Sequence, residues 1–439
     1  MMLESAAARL PARIRFRGCI ALLGWLLLAF NAPAAISDST DAPVETHLSG
    51  SSTPQKFERA VVLSGGGLNI FRYLGWLEGI ELGGKPADVM IGTCGASLAI
   101  AVANALPDHQ DRLDYVLSRD FFELINSAKI RNGEKFWSPS NVLNLLFFYF
   151  GKLWIQGELR MFPDIFDWYI VDAPQGYSLP ELDIPFNRDR SRISSVIVAA
   201  RPMFGPEEVS VTTSWKRHRY REVYFTDPET ARLLEGFDSP TAGVDTWFRK
   251  SRVLSETEVI VDATVAQAAR ASIADPYLVN PAIIDGEYFI TGAVDLHPLE
   301  LAYQIADEVV MNYAPPFSRS IEIQGIYDTF GFDANYRLRT VNDHHADYWV
   351  DNTFSDDEDE VFVETVRVDN PLRVLIGDIH ALSYGFADYE EYRQIVLRDW
   401  QLGVVRGYEA VTQGEPNAKG HIRKMERGNT SRQQRRRFR

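Results

Sequence analysis

Two stretches of the chain repeat one order of events: a short apolar run, a turn of small residues, then apolar positions at helical spacing. In RAVVLSGGGLNIFRYLGWLEGIEL, from Arg59 to Leu82, a strand-like run meets a glycine turn, and Ile70, Tyr73, Leu74, Leu77 and Ile80 then line one helix face. ADVMIGTCGASLAIAVANAL, from Ala87 to Leu106, repeats the order. Later runs such as RISSVIVAA and ADEVVMNYA are short and continuously apolar, as strands covered on both faces are. The pattern predicts an α/β fold with a mostly parallel sheet clothed by helices. Two more helices are expected. SPSNVLNLLFFYFGKLWI, near 138–155, is apolar and aromatic, with Ser138 or Ser140 as its N-cap. It reads either as a buried core helix or as an apolar cap that receives acyl chains or touches a bilayer. DYEEYRQIVLRDWQLGVVRGYEAV, over 388–411, is an amphipathic helix that closes the fold.

The ends of the chain break this pattern. Arg9, Arg13, Arg15 and Arg17 precede the apolar run CIALLGWLLLAF, and Ala32 and Ala34 stand in the A-x-A spacing of a cleavage site. Residues 1–35 therefore read as a secretory signal and the protein as exported, periplasmic or secreted, or membrane-anchored if the signal is kept. Residues 36–56 are rich in Ser, Thr, Pro and Asp without apolar period and read as a flexible linker. The folded domain is expected over 57–412, followed by a basic, disordered tail over 413–439 that ends in SRQQRRRFR. With 439 residues and 46% hydrophobic content, the chain can bury a large core. A net charge of −15 argues against nucleic acid as a partner of the folded domain. Once the signal is removed, Cys94 is the one cysteine left, so an intramolecular disulfide is excluded.

Candidate chemistry lies in three segments. SGGGLN, Ser64 to Asn69, sits between strand and helix, where backbone N–H groups can meet an anion. It lacks the G-K-[ST] of a phosphate loop and the spacing of a dinucleotide fingerprint, so no nucleotide cofactor is expected; an oxyanion hole needs the same geometry and no lysine. GTCGA, Gly92 to Ala96, has the small residues that flank a nucleophile at a strand-to-helix elbow, with Cys94 at the apex. A second register, GASLA, places Ser97 there instead. The third segment, Ala268 to Val310, carries a helix, a Pro-containing connection, a hairpin-like pair and the turn Thr291-Gly292-Ala293. NDHHADYWVDNTFSDDEDE, Asn342 to Glu360, fits neither a zinc nor a calcium spacing and reads as a solvated acidic loop, so no metal is expected.

From about Arg59 to Val411 the chain resembles the patatin-like phospholipases, with three motifs in family order. That resemblance implies a three-layer α/β/α fold, lipid acyl ester hydrolysis, and a Ser-Asp dyad drawn from G-x-S-x-G and D-G-G or D-G-A, with a G-G-G-x-R-G oxyanion loop. It places the oxyanion and elbow region at 57–110 and the dyad region at 262–315. Transferred residue by residue, the nucleophile serine falls on Cys94, between Gly92 and Gly95, and the last glycine of its motif on Ala96. The dyad aspartate falls on Thr291, followed by Gly292 and Ala293. The loop keeps Gly65, Gly66 and Gly67, but its arginine falls on Asn69 and its final glycine on Ile70.

Each change bears on the reaction. Threonine takes no proton near neutral pH, whereas a thiol, titrating near ~8.5 when free, needs less help than a hydroxyl to become a nucleophile. Two functional readings follow. In the first, Ser-Asp hydrolysis is lost and the protein binds a lipid, a membrane surface or a protein partner. In the second, Cys94 makes it a thiol-dependent acyl hydrolase or acyltransferase, with Asp295 or His297 as a replacement partner. Under the first reading, a gain of esterase activity in Cys94→Ser together with Thr291→Asp would show a competent scaffold whose natural site is merely disarmed.

Overall fold

The computed structural model describes residues 55–65, 69–127, 129–130, 159–161, 165–167, 169, 171–175, 180–186, 193–209, 212–214, 218–244, 250–313, 326–327, 329–344, 346–351, 366–368, 382–384, 386 and 388–413. The signal expected over 1–35, all but the last two residues of the linker expected over 36–56, the apolar helix near 138–155 and the tail beyond 413 lie outside these residues, as do Gly66, Gly67 and much of the acidic loop.

Apolar runs of five to nine residues become strands: β1 (Phe57–Leu63), β2 (Val89–Thr93), β3 (Ser194–Pro202), β4 (Tyr220–Thr226) and the shorter β5 (Glu258–Ile260). A hairpin, β6 (Ala282–Ile284) with β7 (Glu287–Phe289), precedes β8 (Ala306–Tyr313) and β9 (Tyr348–Asp351). Seven of them form one sheet in the order β9-β8-β1-β2-β3-β4-β5. Every neighbouring pair is parallel except β3 and β4. β1 pairs with β2 from Ala60 opposite Val89 to Leu63 opposite Gly92, so both strands end at the same edge. Open parallel sheets bind ligands at that carboxyl edge, where successive connections diverge to either side; β1 has β2 on one side and β8 on the other.

Among the described residues the helices are α1 (Ile70–Leu82), α2 (Ala96–Ala105), α3 (His109–Val116), α4 (Arg119–Ile125), α5 (Pro228–Leu233), α6 (Val265–Ser272), α7 (Leu299–Ile305), α8 (Ala334–Asp343) and α9 (Tyr389–Thr412). Alternation along the strands divides the core in two. Val61 and Leu63 face a cluster built with α1, α2, α6 and α9, while Ala60 and Val62 face one built with α7 and α8. The result is a three-layer α/β/α arrangement with a mostly parallel central sheet.

One crossing fixes α9 against α1. Gly75 and Gly79 of α1 face Gly403 and Gly407 of α9, each pair four residues apart. A Cβ on Gly75 would run into the Trp400 carbonyl, and one on Gly403 into the Arg72 carbonyl. The two helices thus meet backbone to backbone, as small residues at i and i+4 allow. Arg72 to Asp399 at 3.4 Å and the Trp400 indole N–H to Glu78 at 2.6 Å flank the crossing.

Candidate functional site

β2 is buried along its whole length and ends at Thr93; the chain then bends at Cys94, whose φ of +50° lies in the left-handed region. For a residue with a Cβ this conformation costs about 1–2 kcal/mol and persists only where the surroundings enforce it. Several contacts enforce it here. The Cys94 N–H donates to Ser272 Oγ at 2.8 Å, and that hydroxyl donates onward to the Val198 carbonyl of β3 at 2.6 Å. The Cys94 carbonyl accepts from the Ser97 N–H at 3.0 Å and from Ser97 Oγ at 2.5 Å. Ser97 therefore lies inside α2, binding the bend from below, and the GASLA register is excluded. Gly95 is the N-cap of α2 and Ala96 its first residue, so Cys94 sits at a helix N-terminus. Gly65, just after β1, packs against the Cys94 Cβ side of the bend.

Gly292 closes the elbow from the other side. A Cβ there would meet Ser272 Oγ at 2.5 Å, Cys94 N at 2.6 Å and the Val198 carbonyl at 2.7 Å, so no larger residue lets the turn approach so closely. Gly292 and Ala293 belong to a short 3-10 turn, Gly292–Asp295, capped by Thr291, whose Oγ1 accepts from the Ala293 N–H at 2.8 Å.

The side chain facing the sulfur was not among the sequence candidates. Asp275 places Oδ2 at 3.5 Å and Oδ1 at 3.8 Å from Cys94 Sγ. The residue follows α6, whose start is fixed by a capping box between Thr264 and Gln267. After α6 the chain turns so that the Asp275 carbonyl accepts from the N–H groups of Leu278 and Val279, with Tyr277 at φ +68°. Thr291 Oγ1 donates to Asp275 Oδ1, and the Thr291 N–H to the adjacent Ala274 carbonyl at 3.1 Å. Burial raises the Asp275 carboxyl above its ordinary range, opposed by the hydrogen bonds from Thr291 and Cys94. A carboxylate thus stands beside Cys94 where motif transfer finds only threonine. The sequence signal for it was an Asp-Pro at the end of an alanine-rich helix, which reads as turn chemistry alone.

The residues expected as replacement partners do other work. Asp295 is buried against Arg337, with Oδ2 at 2.9 Å from Nη2, and Glu300 holds the same guanidinium at 2.6 and 2.5 Å. His297 Nδ1 lies 3.1 Å from Ser64 Oγ; burial and the Arg337 charge push the imidazole down to about 3, so it is neutral. Ser64, at the root of the glycine loop, is also held by Asn312 Oδ1, which accepts its N–H at 3.0 Å, and by the Tyr73 hydroxyl, which donates to its carbonyl at 2.5 Å. Asn69 is buried at the N-cap of α1, without a side-chain bond to the helix end. Ile70 is buried as the first residue of α1. Among the described residues, no three His, Cys, Asp or Glu side chains converge in a metal-binding arrangement. The surface clefts beside α9 and beside α7 are lined by neither Cys94, Asp275 nor Thr291, though Glu300 lines the second.

The chain matches the family of patatin-like phospholipases over residues 61–303. This match takes in the glycine loop, the elbow, Asp275 and Thr291, and the protein belongs to that family. Among solved structures, VipD from Legionella pneumophila aligns at 14% identity over 82% of this chain and 66% of its own, with a TM-score of 0.31. Human GIVD cytosolic phospholipase A2 aligns at 11% identity over 82% of this chain and 62% of its own, also at 0.31. The chain spans less than two thirds of the length of either. No curated protein matches it.

Proposed function

We propose that the protein is an exported lipid acyl hydrolase that works through a thiol, with Cys94 as nucleophile and Asp275 as its base. The observation that carries this reading is the Asp275 carboxylate 3.5 Å from a sulfur held at a left-handed elbow. Nucleophile, base and a third group that orients the base form the arrangement nucleophilic catalysis requires. In the reaction, the Cys94 thiol adds to an ester carbonyl carbon while its proton passes to Asp275. The carbonyl electron pair moves to oxygen, and amide donors at the N-terminus of α2 meet that charge. Collapse expels the alcohol, which takes the proton from Asp275 and leaves a thioester on Cys94. Water then gives a proton to Asp275 and adds to the thioester, releasing the carboxylic acid and restoring the thiol. Burial brings the Asp275 carboxyl nearer to the thiol range, which eases the first transfer.

Family membership supports a lipid substrate, and the apolar side chains of Leu278 and Ile283, exposed near the segment carrying Asp275, support contact with a lipid surface. The Arg-rich, apolar N-terminus with its A-x-A spacing supports export. The test is turnover of short-chain esters and phospholipid vesicles by purified protein beside Cys94→Ala. Activity that vanishes in Cys94→Ala is expected. A wild-type protein without turnover, whose Cys94 still alkylates, contradicts the proposal and favours a lipid-binding protein, a reading that the near-complete burial of Cys94 also suits.

A further inference from the structure

Thr291 occupies the position at which the family carries its dyad aspartate, yet its surroundings are not those of a residue left over from a lost reaction. Its hydroxyl has one hydrogen and two lone pairs. The Ala293 N–H, which can only donate, takes a lone pair at 2.8 Å. The hydrogen goes to Asp275 Oδ1. The Thr291 backbone N–H fixes the neighbouring Ala274 carbonyl, so one residue grips the Asp275 segment by side chain and main chain together. With Oδ1 engaged, the oxygen left nearest the sulfur is Oδ2. The same turn carries Gly292 against the Cys94 amide, which couples the placement of the carboxylate to that of the elbow.

We propose that Thr291 is a positioning residue for the Cys94–Asp275 pair, its hydroxyl orienting the carboxylate and holding it available as a proton acceptor. This inference rests on the reading of Cys94 and Asp275 as a reacting pair. It reverses what motif transfer suggests for this position. An aspartate at 291 would set a second carboxylate against Asp275, and two like charges so close share a proton instead of both ionising. Cys94→Ser with Thr291→Asp is therefore expected to build no esterase.

The experiment measures the rate of Cys94 alkylation by iodoacetamide across pH in wild type, Thr291→Val, Thr291→Ser and Thr291→Asp. The lower step of the wild-type profile reports the ionisation that Cys94 and Asp275 share. Removal of the hydroxyl in Thr291→Val takes away a bond to the charged carboxylate and moves that step to higher pH by about one pH unit. Thr291→Ser returns it to the wild-type position, and Thr291→Asp moves it up as Val does. Should Val fail to fold, Thr291→Ala carries the same comparison. A Val or Ala profile that superimposes on wild type overturns the inference, as does a Ser variant that behaves like Val. The readout needs no ester turnover, so an inactive wild type sinks the hydrolase reading while this comparison still decides the role of Thr291. A Cys94 that no alkylating reagent reaches overturns both.

Discussion

Asp275 is held between opposing influences. Desolvation favours its neutral form, while hydrogen bonds from Thr291 and Cys94 favour the charged form. A group so placed can accept a proton from a thiol and return it to a leaving alcohol, which a fully hydrated carboxylate does less well. Asp275→Asn separates this role from mere proximity, because asparagine keeps the shape and loses the base. Ester hydrolysis is expected to fall by about 10²–10⁴-fold. Alkylation of Cys94 near neutral pH is expected to hold or rise, since a neighbouring negative charge that opposes the thiolate is gone. Parallel loss of both activities would instead point to a collapsed elbow. Cys94 itself was legible in the sequence because glycines bracket it between an apolar strand and a helix. Asp275 was not, because its approach depends on a contact spanning 181 positions that no local pattern encodes. Thr291 was legible as a position, while the residue type alone hides what its hydroxyl binds, Asp275 and the Ala293 N–H.

At the scale of elements, the site depends on loops anchored by helices that cannot shift freely. α1 carries the glycine loop at its start and is pinned along its length by α9 through the facing glycines. Gly403→Ala is the sharpest test of that crossing. In an unconstrained helix, alanine for glycine would stabilise by roughly 0.5–1 kcal/mol. Here the added Cβ meets the Arg72 carbonyl and the Gly75 backbone, so the helices must separate, and a net loss of about 1–3 kcal/mol is expected. Thermal unfolding reads the outcome, and a midpoint at or above wild type would show that the crossing yields easily. Helical periodicity predicts both partners: α1 follows from its apolar spacing, and α9 runs Tyr389–Thr412 beside the expected 388–411. The pairing of their glycines was not legible, because GxxxG on a chain says nothing about which second helix approaches it. The antiparallel step between β3 and β4 was hidden for a similar reason, since continuous apolar strands carry no mark of direction.

Across the whole molecule, the second face of the sheet buries carboxyl groups from β4 and from the turn that follows Thr291. Glu222 lies under that face with Oε2 at 2.5 Å from Ser239 Oγ, and its carboxyl is pushed up to about 8 by burial first and by the charge of Asp295 second. The folded protein therefore keeps a proton that the unfolded chain has released above its ordinary value of 4.5. Stability from this group is fully present below about 4.5 and is lost as pH rises through about 8. Glu222→Gln is expected to flatten that decline, measured as urea unfolding midpoints between pH 5 and 9; an unchanged slope would assign the pH dependence elsewhere. Asp295 belongs to the turn whose Gly292 packs on the Cys94 amide. Intact-mass measurement after brief exposure to an activated butyrate ester tests most directly whether Cys94 forms an acyl-enzyme. One butyryl group on Cys94, absent in Cys94→Ala, is the predicted result; an unacylated wild-type protein whose Cys94 alkylates freely would contradict it.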